Sequence, residues 1–151
     1  MYIAEAIKNT GLETMIAAAS ATILAQSLKI IWYFLTHQRI NFKIFFHTGG
    51  MPSSHSATVS ALAFSVGLIN GFTSTIFAVA TGLAVVVMYD AAGVRRAAGK
   101  MAGILNKITE DFYHHHSEEL PEKLMELLGH TPFEVVVGSA FGVLIAYLIH
   151  I

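Results

Sequence analysis

The sequence predicts an all-α, polytopic membrane helix bundle of about four transmembrane helices, with an amphipathic interfacial helical insertion. Two observations predict it. Only 13% of the residues are charged and 54% are hydrophobic, whereas a soluble domain carries about 25% charged residues. The charges also fall in blocks, at residues 39–43, 95–107 and 110–126. Between the blocks lie apolar stretches near the length of about 20 residues that a hydrocarbon core of about 30 Å asks of a helix. A chain of 151 residues implies a single domain, 1–151. A net charge of −1 offers none of the basic excess that nucleic-acid binding needs, so no nucleic-acid partner is expected. With no cysteine in the chain, disulfides, thiolate catalysis and cysteine–zinc sites are excluded.

The first helix is expected over residues 14–35. Its apolar run is too long for a signal segment and has no basic leader beyond Lys8, so it reads as a retained helix. Gln26 and Lys29 interrupt it three residues apart, on one face. A lysine inside a membrane segment reads either as a functional group or as a side chain snorkelling to the interface. Trp32 and Tyr33 suit an interfacial aromatic belt. A polar connector, residues 36–50, leads to Gly49-Gly50-Met51-Pro52-Ser53-Ser54-His55-Ser56, where a proline and serines start the second helix, expected to reach Ile69. Asn70-Gly71 is a turn, and a third helix is expected over residues 73–93. Residues 97–129 form the insertion: Ile104, Leu105, Ile108 and Phe112, then Leu120, Leu124, Leu127 and Leu128, recur at helical spacing. They predict one or two amphipathic helices, broken near Pro121, that lie on the membrane surface or fold over the site. The fourth membrane helix is expected from Pro132 to the end, capped by Thr131. Its Gly138 and Gly142 form a small-residue face suited to close helix packing, and a homodimer through it is expected.

This topology gathers four helix ends on one side of the membrane, with Arg39, Lys43, Ser53, Ser54, His55, Asp90, Arg95, Arg96, His130 and Glu134. Both termini lie on the other side. Of nine Lys and Arg, seven fall on the gathered face, which the positive-inside rule places in the cytoplasm of a cell (inner) membrane.

Each cluster has a plain reading and a chemical one. Gly49 to Ser56 is a helix cap, or an anion site built from backbone N–H groups and hydroxyls at a helix N-terminus, with His55 placed to pass a proton. Arg95 and Arg96 suit a helix C-terminus, and a guanidinium is also the preferred phosphate ligand. Asp90 is placed to hold one of them. His130 and Glu134, four apart, form a polar pair or a carboxylate-oriented imidazole nucleophile. His114 to His116 with Glu118 and Glu119 reads as a solvated stretch rather than a metal site.

Together these motifs resemble the divergent, short branch of the type 2 phosphatidic acid phosphatase superfamily, which also takes in lipid phosphate phosphatases, bacterial acid phosphatases and vanadium haloperoxidases. Gly50-Met51-Pro52-Ser53-Ser54-His55-Ser56-Ala57 resembles its P-S-G-H motif. His130-Thr131-Pro132-Phe133-Glu134-Val135 resembles its final H-x-x-x-D, and Gly93-Val94-Arg95-Arg96 supplies the arginine between. Lys29 and Arg39 are candidates for the first motif. The resemblance implies a metal-independent lipid phosphate phosphatase without cofactor, acting on a lipid phosphate or pyrophosphate among membrane lipids. His130 would form a phosphohistidine, Glu134 orient it, and His55 act as acid and base. Lys29, Arg39, Arg95 or Arg96, and the backbone around Ser53 and Ser54, would bind the phosphate oxygens. The chain departs from the pattern at Ser54 for glycine, at Glu134 for aspartate, and in the 33 residues, 97–129, between Arg96 and His130. Those departures carry the alternative, a non-catalytic scaffold or phospholipid-binding protein that kept the phosphate pocket; a transporter or flippase component is a third class.

Overall fold

The computed structural model describes residues 6–38, 50–114, 123–124 and 129–151. Arg39, Lys43, His115, His116, Glu118, Glu119, Leu120, Pro121, Leu127 and Leu128 lie outside them, as does the expected helix break. The described residues form five α-helices and no strand: α1 (Gly11–His37), α2 (Ser54–Asn70), α3 (Thr75–Ala92), α4 (Val94–His114) and α5 (Pro132–His150). Three runs are long and apolar enough to cross a membrane: Gly11–Thr36, Thr75–Tyr113 and Pro132–His150.

The fourth bundle helix, α2, is different in kind. It has 17 residues, about 26 Å at 1.5 Å per residue, and it is the hub, packed on α1, α3 and α5. Its buried positions are small or hydroxylated, among them Ser56, Ala57, Ser60, Ala61 and Ser65. A helix walled by other helices needs close packing rather than lipid-facing bulk. Ala17, Ala21 and Ala25 of α1, four residues apart, meet Ala57 and Ala61 of α2 and Ala146 of α5 in one cluster. Hydroxyl pairs tie the helices: Thr22 to Thr58 (2.6 Å), Ser60 to Ser139 (2.8 Å) and Ser65 to Thr14 (3.2 Å).

The expected glycine face on α5 is real, and its partner is α2. A Cβ at Gly138 would stand 2.4 Å from the Ser53 carbonyl oxygen, and one at Gly142 would stand 2.1 Å from that of Ala57. The face that motivated a homodimer is therefore filled within the chain. At the far end of the bundle, the buried Glu13 carboxylate pairs with His150 (2.7 Å) and accepts the Asn9 N–H. This pins the start of α1 to the end of α5, with both described termini at the end opposite His55 and His130.

The amphipathic helix begins earlier than its periodicity suggested. α4 starts at Val94, one residue after α3 ends, and among the described residues it packs on α3 alone of the helices. Its Asn106 side chain exchanges two 2.8 Å hydrogen bonds with the Leu124 backbone, and Lys123 pairs with Glu110 (3.3 Å). Lys123 and Leu124 thus lie back along α4. Gly129 completes the return: at φ +91°, a conformation glycine adopts without strain, it lies so close that a Cβ would stand 2.3 Å from the Arg96 nitrogen.

Candidate functional site

The site forms where α1 ends, α2 and α5 begin, and α3 gives way to α4. Thr131 caps α5. Its hydroxyl accepts the Glu134 N–H (3.3 Å), while the Glu134 carboxylate accepts the Thr131 N–H (3.2 Å), a reciprocal capping box. The same carboxylate oxygen meets His130 Nδ1 at 3.0 Å. An ionised carboxylate only accepts, so Nδ1 carries the proton and donates, leaving the lone pair on Nε2. The His130 N–H also donates to the Ala91 carbonyl (2.9 Å), fixing the backbone of this residue against the end of α3. Two short-range devices and one tertiary bond therefore set the ring, which is only 1% exposed.

His55 stands across from it in the first turn of α2, the two ring centroids 6.4 Å apart and the planes at 60°. Ser53 caps α2, its hydroxyl accepting from the Ser56 N–H (3.3 Å) and the Ser56 hydroxyl (2.9 Å). Its N–H donates to the Glu134 carbonyl (3.3 Å). Ser53 was expected to bind phosphate. The hydroxyl thus caps α2 and the N–H joins α2 to α5, while Ser54 is buried at the helix start. Ser56 was not singled out as a site residue, although it stood within the same motif.

Lys29 is 3% exposed, so it does not snorkel to water. Its ammonium lies within electrostatic range of Glu134 and both histidines. Arg95 is held by Asp90 through Nε (2.8 Å) on the exposed rim, and its charge reaches both rings. Arg96 is exposed, and its backbone packs on Gly129. The long separation of arginine and histidine in sequence is thus closed in space, because Gly129 packs on Arg96 and the His130 N–H reaches the Ala91 carbonyl. Arg39 lies outside the described residues.

Five buried side-chain atoms have no hydrogen-bond partner among the described residues, and four belong to Gln26, Lys29, His55 and His130, as Gln26 Oε1, Lys29 Nζ, His55 Nδ1 and His130 Nε2. Buried polar atoms are nearly always paired, so these four make this end of the bundle the candidate ligand site. Burial holds the His130 imidazole below its ordinary value of 6.5. The Glu134 hydrogen bond and charge oppose that shift, while Lys29 and Arg95 add to it. The ring is consequently neutral, and nucleophilic at Nε2, near pH 7.

Two apolar grooves flank α5 beside these groups. One, about 570 Å³ between α3 and α5, is lined by Val85, Met88, Tyr89, Val136 and Ala140. The other, about 310 Å³ between α1 and α5, is lined by Leu28, Trp32, Pro52, Val137 and Phe141.

Fold and site together define an all-α membrane helix bundle carrying an imidazole–carboxylate pair, a second imidazole and a buried ammonium at one end. The chain belongs to the Divergent PAP2 family, whose model matches residues 10–145. It is 39% identical over 145 residues to the uncharacterized membrane protein YuiD of Bacillus subtilis (strain 168), a match covering 89% of this chain and 92% of that relative. No solved structure matches the chain.

Proposed function

We propose that the protein is a multi-pass membrane phosphatase that hydrolyses a lipid phosphate or pyrophosphate through a phosphohistidine. The observation that carries this reading is the buried His130, with Nδ1 on Glu134 and an unpartnered Nε2, across from His55. The ring separation of 6.4 Å suits one phosphorus between them. A nucleophile stands about 3–3.5 Å from the atom it attacks, and a proton donor stands about 2.6–3.2 Å from its partner.

In this mechanism the Nε2 lone pair attacks phosphorus, the bond to the leaving oxygen breaks, and His55 gives that oxygen its proton. A bound phosphate supplies the negative charge that favours protonated His55. Water then attacks the phosphohistidine, His55 takes the water's proton, and the N–P bond breaks to release phosphate. Lys29 and Arg95, with Arg39 and Arg96 as further candidates, counter the charge on the equatorial oxygens. The grooves beside α5 suit lipid chains whose head sits at the histidines. The basic residues on this face favour a cytoplasmic location for it.

The test is phosphate release by purified protein from phosphatidate, phosphatidylglycerophosphate and polyprenyl pyrophosphate. His130→Ala and His55→Ala should each abolish it, and undiminished turnover in both variants rules the mechanism out. One observation favours a second reading, a phosphate-binding scaffold: the Arg95 guanidinium is already engaged by Asp90. Vanadate binding without hydrolysis of any of these lipids would select it.

A further inference from the structure

Of the four unpartnered atoms, the Lys29 ammonium attracts an anion, His55 Nδ1 donates to one when protonated, and the His130 Nε2 lone pair faces phosphorus in the proposed attack. The fourth, Gln26 Oε1, is an acceptor and repels one. The helix register places it. Thr14 bonds Ser65 and Thr22 bonds Thr58, so α1 and α2 run antiparallel with these positions level. One further turn along α1, from Thr22 to Gln26, corresponds to one turn back along α2, from Thr58 to Ser54. Gln26 is therefore level with Ser54, the residue before His55, and on the same face of α1 as Lys29. Unlike the His130 lone pair, which the mechanism turns on phosphorus, this acceptor meets no electrophile and asks its ligand for a hydrogen.

We propose that Gln26 is a specificity-determining residue that accepts a hydrogen bond from a P–OH group, so that the pocket selects a protonated phosphate over a tetrahedral anion of the same shape that carries no proton. This rests on the reading of the bundle end as a phosphate site, and it deepens that reading: the preferred form is the monoanion of a phosphate monoester, and a fully esterified or fully ionised head leaves Oε1 unpaired. An unpaired buried acceptor weakens binding by about tenfold to a hundredfold, and sites built around a ligand hydroxyl reject analogues lacking it by larger factors still.

Inorganic phosphate retains a P–OH at neutral pH and sulfate does not, so the pair isolates the donor without requiring turnover. Calorimetric titration of the purified full chain should show phosphate bound at least about tenfold more tightly than sulfate. Gln26→Met, which keeps the length and removes the acceptor, should bring the two affinities together chiefly by weakening phosphate. Gln26→Glu, which restores an acceptor, should keep the preference. Equal affinity of the unaltered protein for the two anions overturns the assignment, as does an unchanged ratio in Gln26→Met. Binding of neither anion would remove the phosphate site itself. Discrimination without any lipid hydrolysis would support the role of Gln26 and count against the phosphatase.

Discussion

Glu134 does three jobs: its carboxylate closes the cap of α5 and orients His130, and its carbonyl takes the Ser53 N–H. That concentration makes the chemistry of His130 sensitive to one neighbour, and pH gives the sign. Above 6.5 the ring is neutral in folded and unfolded chains alike, so pH has no leverage. As pH falls through 6.5 the unfolded chain takes up the proton first, because burial holds the folded ring lower. Stability is then lost until the folded ring protonates as well. The acid limb of the rate profile should accordingly lie below pH 6.5. In Glu134→Gln, which withdraws the carboxylate charge that raises His130, the limb should move lower still while kcat falls. An acid limb at or above 6.5 in the unaltered protein contradicts the assignment of the nucleophile. The His130–Glu134 pair was legible because its spacing is local, and His55 because it follows the proline and serines that start α2. The engagement of Ser53, and the pairing of Arg95 rather than Arg96 with Asp90, depend on which way side chains face once the helices meet, and no periodicity records that.

At the scale of elements, α5 was read to within a residue of its end, because Thr131, Pro132 and Glu134 form a start signal complete in four residues. Its glycine face was legible too, but not the face's partner. Adding side chains there should separate α5 from α2. Gly142→Val places atoms where a Cβ already stands 2.1 Å from the Ala57 oxygen, and overpacking of this kind costs about 1–3 kcal/mol. A lowered unfolding midpoint in detergent, with a larger loss than at exposed Ala140, is the expected outcome. α5 also divides the two grooves, with Val136 and Ala140 on one side and Val137 and Phe141 on the other. Filling one with Ala140→Trp should lower turnover of lipid phosphates relative to that of a water-soluble phosphomonoester, measured side by side. An unchanged ratio would mean that lipid chains do not lie there.

The whole molecule divides into a bundle that closes on itself and an arm that leaves it. The bundle is sealed at one end by Glu13 and His150 and at the other by the His130 N–H on the Ala91 carbonyl. The arm, α4 with its returning chain, meets the bundle through α3. The charge-rich composition from residue 97 onward sets the arm apart from the apolar bundle helices. The arm's start was placed at residue 97 because the apolar spacing is clear only from there, whereas α4 begins at Val94, directly after the Gly93 break. The arm's two faces now differ by contact as well as by pattern. Asn106 and Ala102 are buried, Asn106 under the returning chain, while Met101, Ile104, Leu105, Ile108 and Phe112 are more than half exposed along one face. Burying such side chains stabilises by about 1.5–3 kcal/mol each. Five left in water would forgo several kcal/mol in a molecule that already sits in a bilayer, so that face should lie in the interface with Lys107 and Asp111 turned to water. The absence of cysteine makes the test clean. Single cysteines at positions 101 and 108, carrying an environment-sensitive dye in nanodiscs, should be quenched by lipid-borne quenchers and shielded from aqueous iodide. Dyes at 107 and 111 should behave oppositely. Equal aqueous quenching at all four positions would lift the arm off the membrane and leave its apolar face to another protein.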